Sequence, residues 1–200
     1  MQHWYALALF SVLSTITPGP NNLMIMTSSM NFGIRKSLPH FLGITTGFPL
    51  MVVAMGLGLN SIFAIIPGFQ TLLLLLSAGM MIHLAWRTAT FMPAPSDAHV
   101  KTRPLRYLEA VLFQWVNPKA WFMATGAVAL FPATGSSVLA YTTTMALLMS
   151  VVGVVCVGVW MLMGMQLRAV INTPGRLRAF NGSMAVSLLA FFGYSVFVSV

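Results

Sequence analysis

A lysine stands near the middle of an apolar run in the second half of this chain, within Gln114-Trp115-Val116-Asn117-Pro118-Lys119-Ala120. Nearly a hundred residues earlier, a second apolar run is interrupted by Thr15-Ile16-Thr17-Pro18-Gly19-Pro20-Asn21-Asn22. Both segments combine proline, which removes a backbone donor and opens the helix, with amide side chains that can hydrogen-bond a solute. The chemistry they suggest is binding. An ammonium group and open helix N-termini attract a carboxylate, while freed carbonyls and the amides of Asn21, Asn22, Gln114 and Asn117 accept from an ammonium. Together these groups suit a small zwitterion, with Pro18, Gly19, Pro20, Asn21, Asn22, Gln114, Asn117, Pro118 and Lys119 as the candidate binding residues.

The elements that must carry this site follow from composition. Hydrophobic residues make up 58% of the chain and charged residues 6%, against roughly 25% charged in ordinary soluble domains. Such a chain cannot cover itself with polar surface, and its unit of structure is the membrane span of about 20 apolar residues. Charge gaps and turn residues predict an all-α integral membrane fold with six transmembrane helices, at about 4–28, 39–60, 69–87, 107–131, 138–166 and 180–199. The whole chain, 1–200, reads as one transporter domain. Its half-repeats, about 1–92 and 105–200, are joined by a polar linker at about 93–104. The N-terminal run lacks a basic leader and a small-residue cleavage site, so it reads as a retained first span.

Nine of the ten Lys and Arg residues fall in three connections: Arg35 and Lys36; Arg87, Lys101, Arg103 and Arg106; Arg168, Arg176 and Arg178. Basic loops stay in the cytoplasm, which puts both termini outside. The tenth cation is Lys119. A lysine at the bilayer centre costs about 2.5–3.5 kcal/mol on insertion scales, and its stem of about 6 Å cannot reach either edge of a core roughly 30 Å thick. It is expected to point inward.

Three spans on each side of the linker make the halves run in opposite directions, as in a 3+3 inverted repeat, and each half opens with a span broken by proline at the midplane. An unwound segment at this depth survives only against protein or a wet cavity. The competing reading of the first break is a proline kink whose asparagines bond neighbouring helices; that of Lys119 is a tether for carbonyls freed by Pro18 and Pro118.

Other chemistries find little support. The net charge of +8 is dispersed between apolar runs and does not form a nucleic-acid footprint. Cys156 is alone, and no metal helix, nucleotide loop or nucleophile elbow occurs, so neither a cofactor nor an enzymatic activity is expected. Asp97 and Glu109 are the only acids, which disfavours a divalent-metal cargo. Glu109, three residues after Arg106, reads as a surface ion pair at a helix start. His83 could bond a neighbouring helix or, with Lys119 and Glu109, handle a proton. Trp115, Trp121 and Trp160 do not fit interfacial belts and are expected to pack on other helices or face acyl chains. The small residues of Gly43-Ile44-Thr45-Thr46-Gly47 suit a close helix crossing, either inside one subunit or in a homodimer.

Four segments resemble the LysE/RhtB superfamily of bacterial amino-acid exporters along essentially the whole chain. They are Thr17-Pro18-Gly19-Pro20-Asn21-Asn22, Phe32-Gly33-Ile34-Arg35-Lys36-Ser37, Gly43 to Gly47, and Asn117-Pro118-Lys119-Ala120. The pairing of the first and last at this distance is specific. The resemblance implies a single-polypeptide, proton-driven exporter in the bacterial inner membrane, for substrates such as homoserine, threonine, lysine, leucine, cysteine or O-acetylserine. Gln114-Trp115-Val116-Asn117 and the long first span bring the chain closest to the cysteine/O-acetylserine branch. It departs from many relatives where Phe131-Pro132 runs into Ala133-Thr134-Gly135 in place of a Pro-Gln-Phe turn. Cation efflux, and a non-transporting membrane subunit whose broken helices dock a partner, are the alternative functions.

Overall fold

A computed structural model describes residues 2–59, 65–66, 68–90, 103–133, 137–171 and 173–199. Among these residues the regular structure is entirely helical: α1 (Gln2–Ile16), α2 (Pro20–Phe32), α3 (Ile34–Gly56), α4 (Phe69–Ala89), α5 (Tyr107–Phe113), α6 (Pro118–Leu130), α7 (Val138–Val170) and α8 (Pro174–Ser199). A single 3-10 turn, Gln114–Val116, separates α5 from α6. Most of the linker, with Asp97 and Lys101, lies outside the described residues, as do Pro67, Asn172 and the Thr134-Gly135 part of the outer turn.

The fold is built around α2. Ten of its thirteen residues are buried, although Asn22, Thr27, Ser28 and Ser29 among them are polar. It packs chiefly against α7 and α3, and α8 lies beyond its C-terminal half. One apolar core, including Leu23, Ile25, Ile44, Phe113 and Leu188, surrounds the N-terminal half of α2. A second, including Leu7, Met51, Ala124 and Met149, joins α1, α3, α6 and α7. Outward faces are apolar instead: Leu42, Leu50, Leu72, Leu75, Val151 and Val155 are all exposed. Polar groups inside and large aliphatic side chains outside are what a lipid solvent requires, since tails compete with no hydrogen bond. Ile34–Gly56, Thr71–Ala89 and Val138–Leu167 are long and apolar enough to cross a bilayer. The chain is a helical membrane protein.

Close crossings are made where a side chain is missing. A Cβ on Gly43 would strike the Tyr107 carbonyl and Ala110, and one on Gly47 would come within 2.9 Å of Val111 Cα. The small face of α3 therefore seats α5 inside the chain. Pro39 and Pro49 both lie within α3 without ending it. Pro49 cannot donate to the carbonyl of Thr45, four residues back, and Ser150 Oγ on α7 donates to that carbonyl instead, at 3.1 Å.

The polarity of the bundle's two ends is also visible. Asn31 at the end of α2 donates to Asn181 near the start of α8 at 3.3 Å, and Arg87 at the end of α4 donates to the Arg103 carbonyl before α5 at 3.3 Å. At the opposite end Trp4 of α1 meets Tyr141 of α7. Glu109 forms the surface pair foreseen, but with a different partner. Arg103 holds both its oxygens, at 2.5 and 2.7 Å, while Arg106 supplies its backbone N–H at 2.9 Å. The guanidinium of Arg106, three residues away on the helix start, yields to Arg103 because the preceding loop folds back and presents a planar fork to the carboxylate.

Candidate functional site

The chain between α1 and α2 leaves the helical path at Thr17, Pro18 and Gly19, so the last carbonyls of α1 have no helical donor. Side chains take that place. Asn22 Nδ2 donates to Thr15 O at 2.7 Å and Thr17 O at 2.9 Å. Trp160 Nε1 of α7 donates to Ile16 O at 3.0 Å. Lys119 Nζ, from the other half of the chain, donates to Thr17 O at 2.6 Å, Thr17 Oγ1 at 2.9 Å and Pro18 O at 3.3 Å. Four consecutive carbonyls are thus satisfied although the chain has left the helix. In this conformation the carbonyls do not stand open to a ligand; one cation, one amide and one indole occupy them. Trp160 packs on another helix, and its indole closes this account.

α2 then restarts with Pro20 at its first position, where a missing N–H costs nothing, and no side chain caps it. α6 restarts in the same manner with Pro118, but here Asn117 Oδ1 accepts from Lys119 N at 3.1 Å and caps the helix. Trp121 Nε1 donates to the Trp115 carbonyl at 2.8 Å. The two restarts are tied together by a reciprocal amide pair. Asn21 Nδ2 donates to Gln114 Oε1 at 2.9 Å and Gln114 Nε2 donates to Asn21 Oδ1 at 3.3 Å. Gln114 is fully buried, so this pair is shielded from competition with water.

Between these groups lies a cleft that is partly open to the surroundings. Of the candidate residues Gly19, Asn21, Asn22, Asn117 and Lys119 line it. Pro18, Pro20, Gln114 and Pro118 do not; they set the breaks and hold the liners in place. The sequence reading missed the far wall, which is Thr45, Phe48 and Pro49 of α3 with Met149, Gly153 and Val157 of α7. Pro49 was the available signal there, a second proline at mid-span whose orphaned carbonyl needs a partner. Lys119 is the one charged liner among the described residues. His83 is exposed on α4 and lines neither this cleft nor the one at the other end of α2. Glu109 is committed to Arg103 outside the cleft. Among the described residues no group of three His, Cys, Asp or Glu side chains could hold a metal ion.

Gly19 is present for space. Its backbone is extended, φ −178° and ψ 175°, which any residue adopts, but an added Cβ would lie 2.6 Å from Lys119 Cδ and 3.0 Å from its Nζ. The obstacle is the mobile end of a side chain, so the fold can yield. Gly19→Ala is expected to leave the thermal unfolding midpoint within about 2 °C of the parent, a shift worth roughly 0.5–1 kcal/mol. It is also expected to lower solute binding about tenfold by pushing the ammonium off Thr17 and Pro18, as equilibrium dialysis of the purified protein would reveal.

The chemistry available is a single cation, four amide groups at the two breaks, and an apolar wall. A carboxylate can take the ammonium from the carbonyls, which then accept from the solute's own ammonium, while Phe48, Met123 and Met149 give the cleft an apolar wall suited to an uncharged side chain.

Comparison with known proteins gives the family. The family model for LysE type translocators matches residues 12–199. The chain is 27% identical over 168 residues to the cysteine/O-acetylserine efflux protein of Escherichia coli O6:K15:H31 (strain 536 / UPEC), covering 84% of this chain and 85% of that protein. It is 26% identical over the same length and shares to the proteins of that name from Escherichia coli (strain K12) and Shigella flexneri serotype 5b (strain 8401). No solved structure matches the chain.

Proposed function

The chain belongs to the LysE type translocators, and from that premise we propose that it exports a small neutral amino acid or derivative, cysteine and O-acetylserine first, across the bacterial inner membrane. The observation that carries the proposal is the convergence of Lys119, Asn21, Asn22 and Asn117 on one cleft between two interrupted helices. The names of the relatives support the substrate class, and the scarcity of acids in the cleft argues against a strongly cationic cargo.

In this reading the chain crosses the membrane six times as a 3+3 inverted repeat, with α1/α2 and α5/α6 each forming one broken crossing. The basic connections lie in the cytoplasm and both termini outside. The cleft sits at the midplane, where the freed carbonyls of one half are held by the lysine of the other. Substrate carboxylate competes for that lysine. Once the ammonium turns to the carboxylate, Thr17 O and Pro18 O lose a donor and can accept the substrate ammonium, so binding replaces the tether between the halves. Loss of the tether permits one half to rock against the other, and the proton gradient supplies the direction.

Proteoliposomes test this. With labelled cysteine, O-acetylserine, homoserine, threonine, leucine and lysine offered in turn, an imposed proton gradient is expected to accelerate movement of cysteine or O-acetylserine at least about tenfold over protein-free vesicles, a difference of about 1.4 kcal/mol in barrier. Movement of lysine alone would overturn the neutral-substrate assignment, and movement of none by folded protein would overturn the proposal.

A further inference from the structure

A second polar cleft opens at the other end of α2. It is lined by Thr27, Ser28 and Asn31 of α2, by Arg87 and Thr88 at the end of α4, and by Arg103. Buried polar atoms in a membrane protein normally have partners. Two that have none among the described residues, Thr27 Oγ1 and Asn31 Oδ1, belong to side chains of this cleft, and Thr27 is 7% exposed. Asn31 is held by its other end, where its amide nitrogen donates to Asn181, so its oxygen is left as an acceptor. Ser28 is already committed to His40 Nδ1 at 3.0 Å.

The two arginines are not equivalent. Arg103 is neutralised by Glu109 through both oxygens. Arg87 has no ion pair among the described residues and donates to the Arg103 carbonyl. The cleft therefore offers a guanidinium suited to a carboxylate, an amide oxygen suited to an ammonium, and an unused hydroxyl. That set matches the polar ends of an amino acid, and it repeats in different residues the complement of the first cleft. Asn22 and Thr27, one in each cleft, are five residues apart on α2, about 7.5 Å of helix.

We propose that this cleft is a second recognition site for the exported zwitterion, on the side of the molecule that carries the basic connections, with Arg87 taking the carboxylate and Asn31 Oδ1 the ammonium. The inference rests on the exporter reading above. Solute is captured at the basic mouth and passed along α2 to the cleft at Lys119.

Uptake of labelled L-cysteine and O-acetyl-L-serine into inverted membrane vesicles, where the basic side faces the medium, tests it. Arg87→Gln and Asn31→Ala are each expected to raise the half-saturating concentration about tenfold, with a smaller change in maximal rate, and Arg87→Lys to recover part of the loss. An unchanged half-saturating concentration in Arg87→Gln, with the parent transporting normally, overturns this inference and spares the exporter reading. No uptake by the parent overturns both. The Arg87→Gln defect is expected to persist in reconstituted phosphatidylcholine vesicles. A defect that requires phosphatidylglycerol would assign Arg87 to a lipid phosphate and also overturn the inference.

Discussion

Replacing Lys119 by alanine is expected to lower gradient-driven export about 100-fold while changing stability little. The ammonium makes three contacts with Thr17 and Pro18 from a segment about a hundred residues away, and a hydrogen bond to a charged group is worth roughly 1.5–3 kcal/mol. For the fold, two effects oppose each other. If Lys119 lies at membrane depth, as proposed above, its removal relieves about 2.5–3.5 kcal/mol of insertion cost, whereas Pro18 O loses its Lys119 donor and Thr17 O keeps Asn22. The unfolding midpoint is therefore expected to move far less than the transport rate. Initial rates in proteoliposomes at matched protein content, with a thermal melt of each variant, separate the two quantities. Lys119→Arg keeps the charge on a bulkier planar head and should recover only part of the rate. Export by Lys119→Ala at the parental rate would reduce the lysine to a structural peg.

Gly164→Ala is expected to be the most destabilising single-methyl change in the bundle. A Cβ there would overlap the Met26 carbonyl oxygen and Ser29 Oγ, and Ser29 Oγ itself donates to Met26 O at 3.0 Å. Backbone is the obstacle, so α2 and α7 must move apart. Overpacking of this kind costs about 1–3 kcal/mol, which corresponds to roughly 3–10 °C in the unfolding midpoint for a chain of this size. Displacement of α2 also carries Asn21 and Asn22 away from their partners, so export should fall with stability. Gly79→Ala serves as the control, because nothing lies within 4 Å of a Cβ at that position. Equal midpoints for the two variants would show that α7 accommodates the methyl by sliding.

The contrast with Gly19 is instructive. A methyl at Gly19 meets a flexible lysine and one at Gly164 meets a carbonyl, so the first reads on function and the second on the fold. Gly19 lies between two prolines and Gly164 inside an uninterrupted helix, yet neither local sequence says what a methyl would meet. Glycine is common in membrane helices, and what surrounds it is supplied by residues about a hundred or more positions away.

Much of the architecture was legible because lipid imposes a simple rule. A chain with 6% charged residues must bury its backbone in helices, and the positions of its few cations and prolines mark where helices end. Pro18, Pro20 and Pro118 announced the two interruptions, and a lysine in an apolar run could only point inward. The small face at Gly43 and Gly47 announced a close crossing. These are local or near-local properties, set by chain chemistry and hydration cost. Partners were not legible. That Lys119 would reach Thr17 and Pro18, that Asn21 would pair with Gln114, that Trp160 would close the carbonyl of Ile16, and that Glu109 would choose Arg103 over Arg106 all depend on how the helices lie side by side. The far wall of the cleft escaped for the same reason, since Thr45, Phe48, Met149 and Gly153 are unremarkable residues until α3 and α7 are brought against α2. Sequence determined which groups could not remain unsatisfied in an apolar medium; only the tertiary structure decided which group satisfies which, because hydrogen bonds between distant segments are fixed by helix packing and leave no periodic trace in the chain.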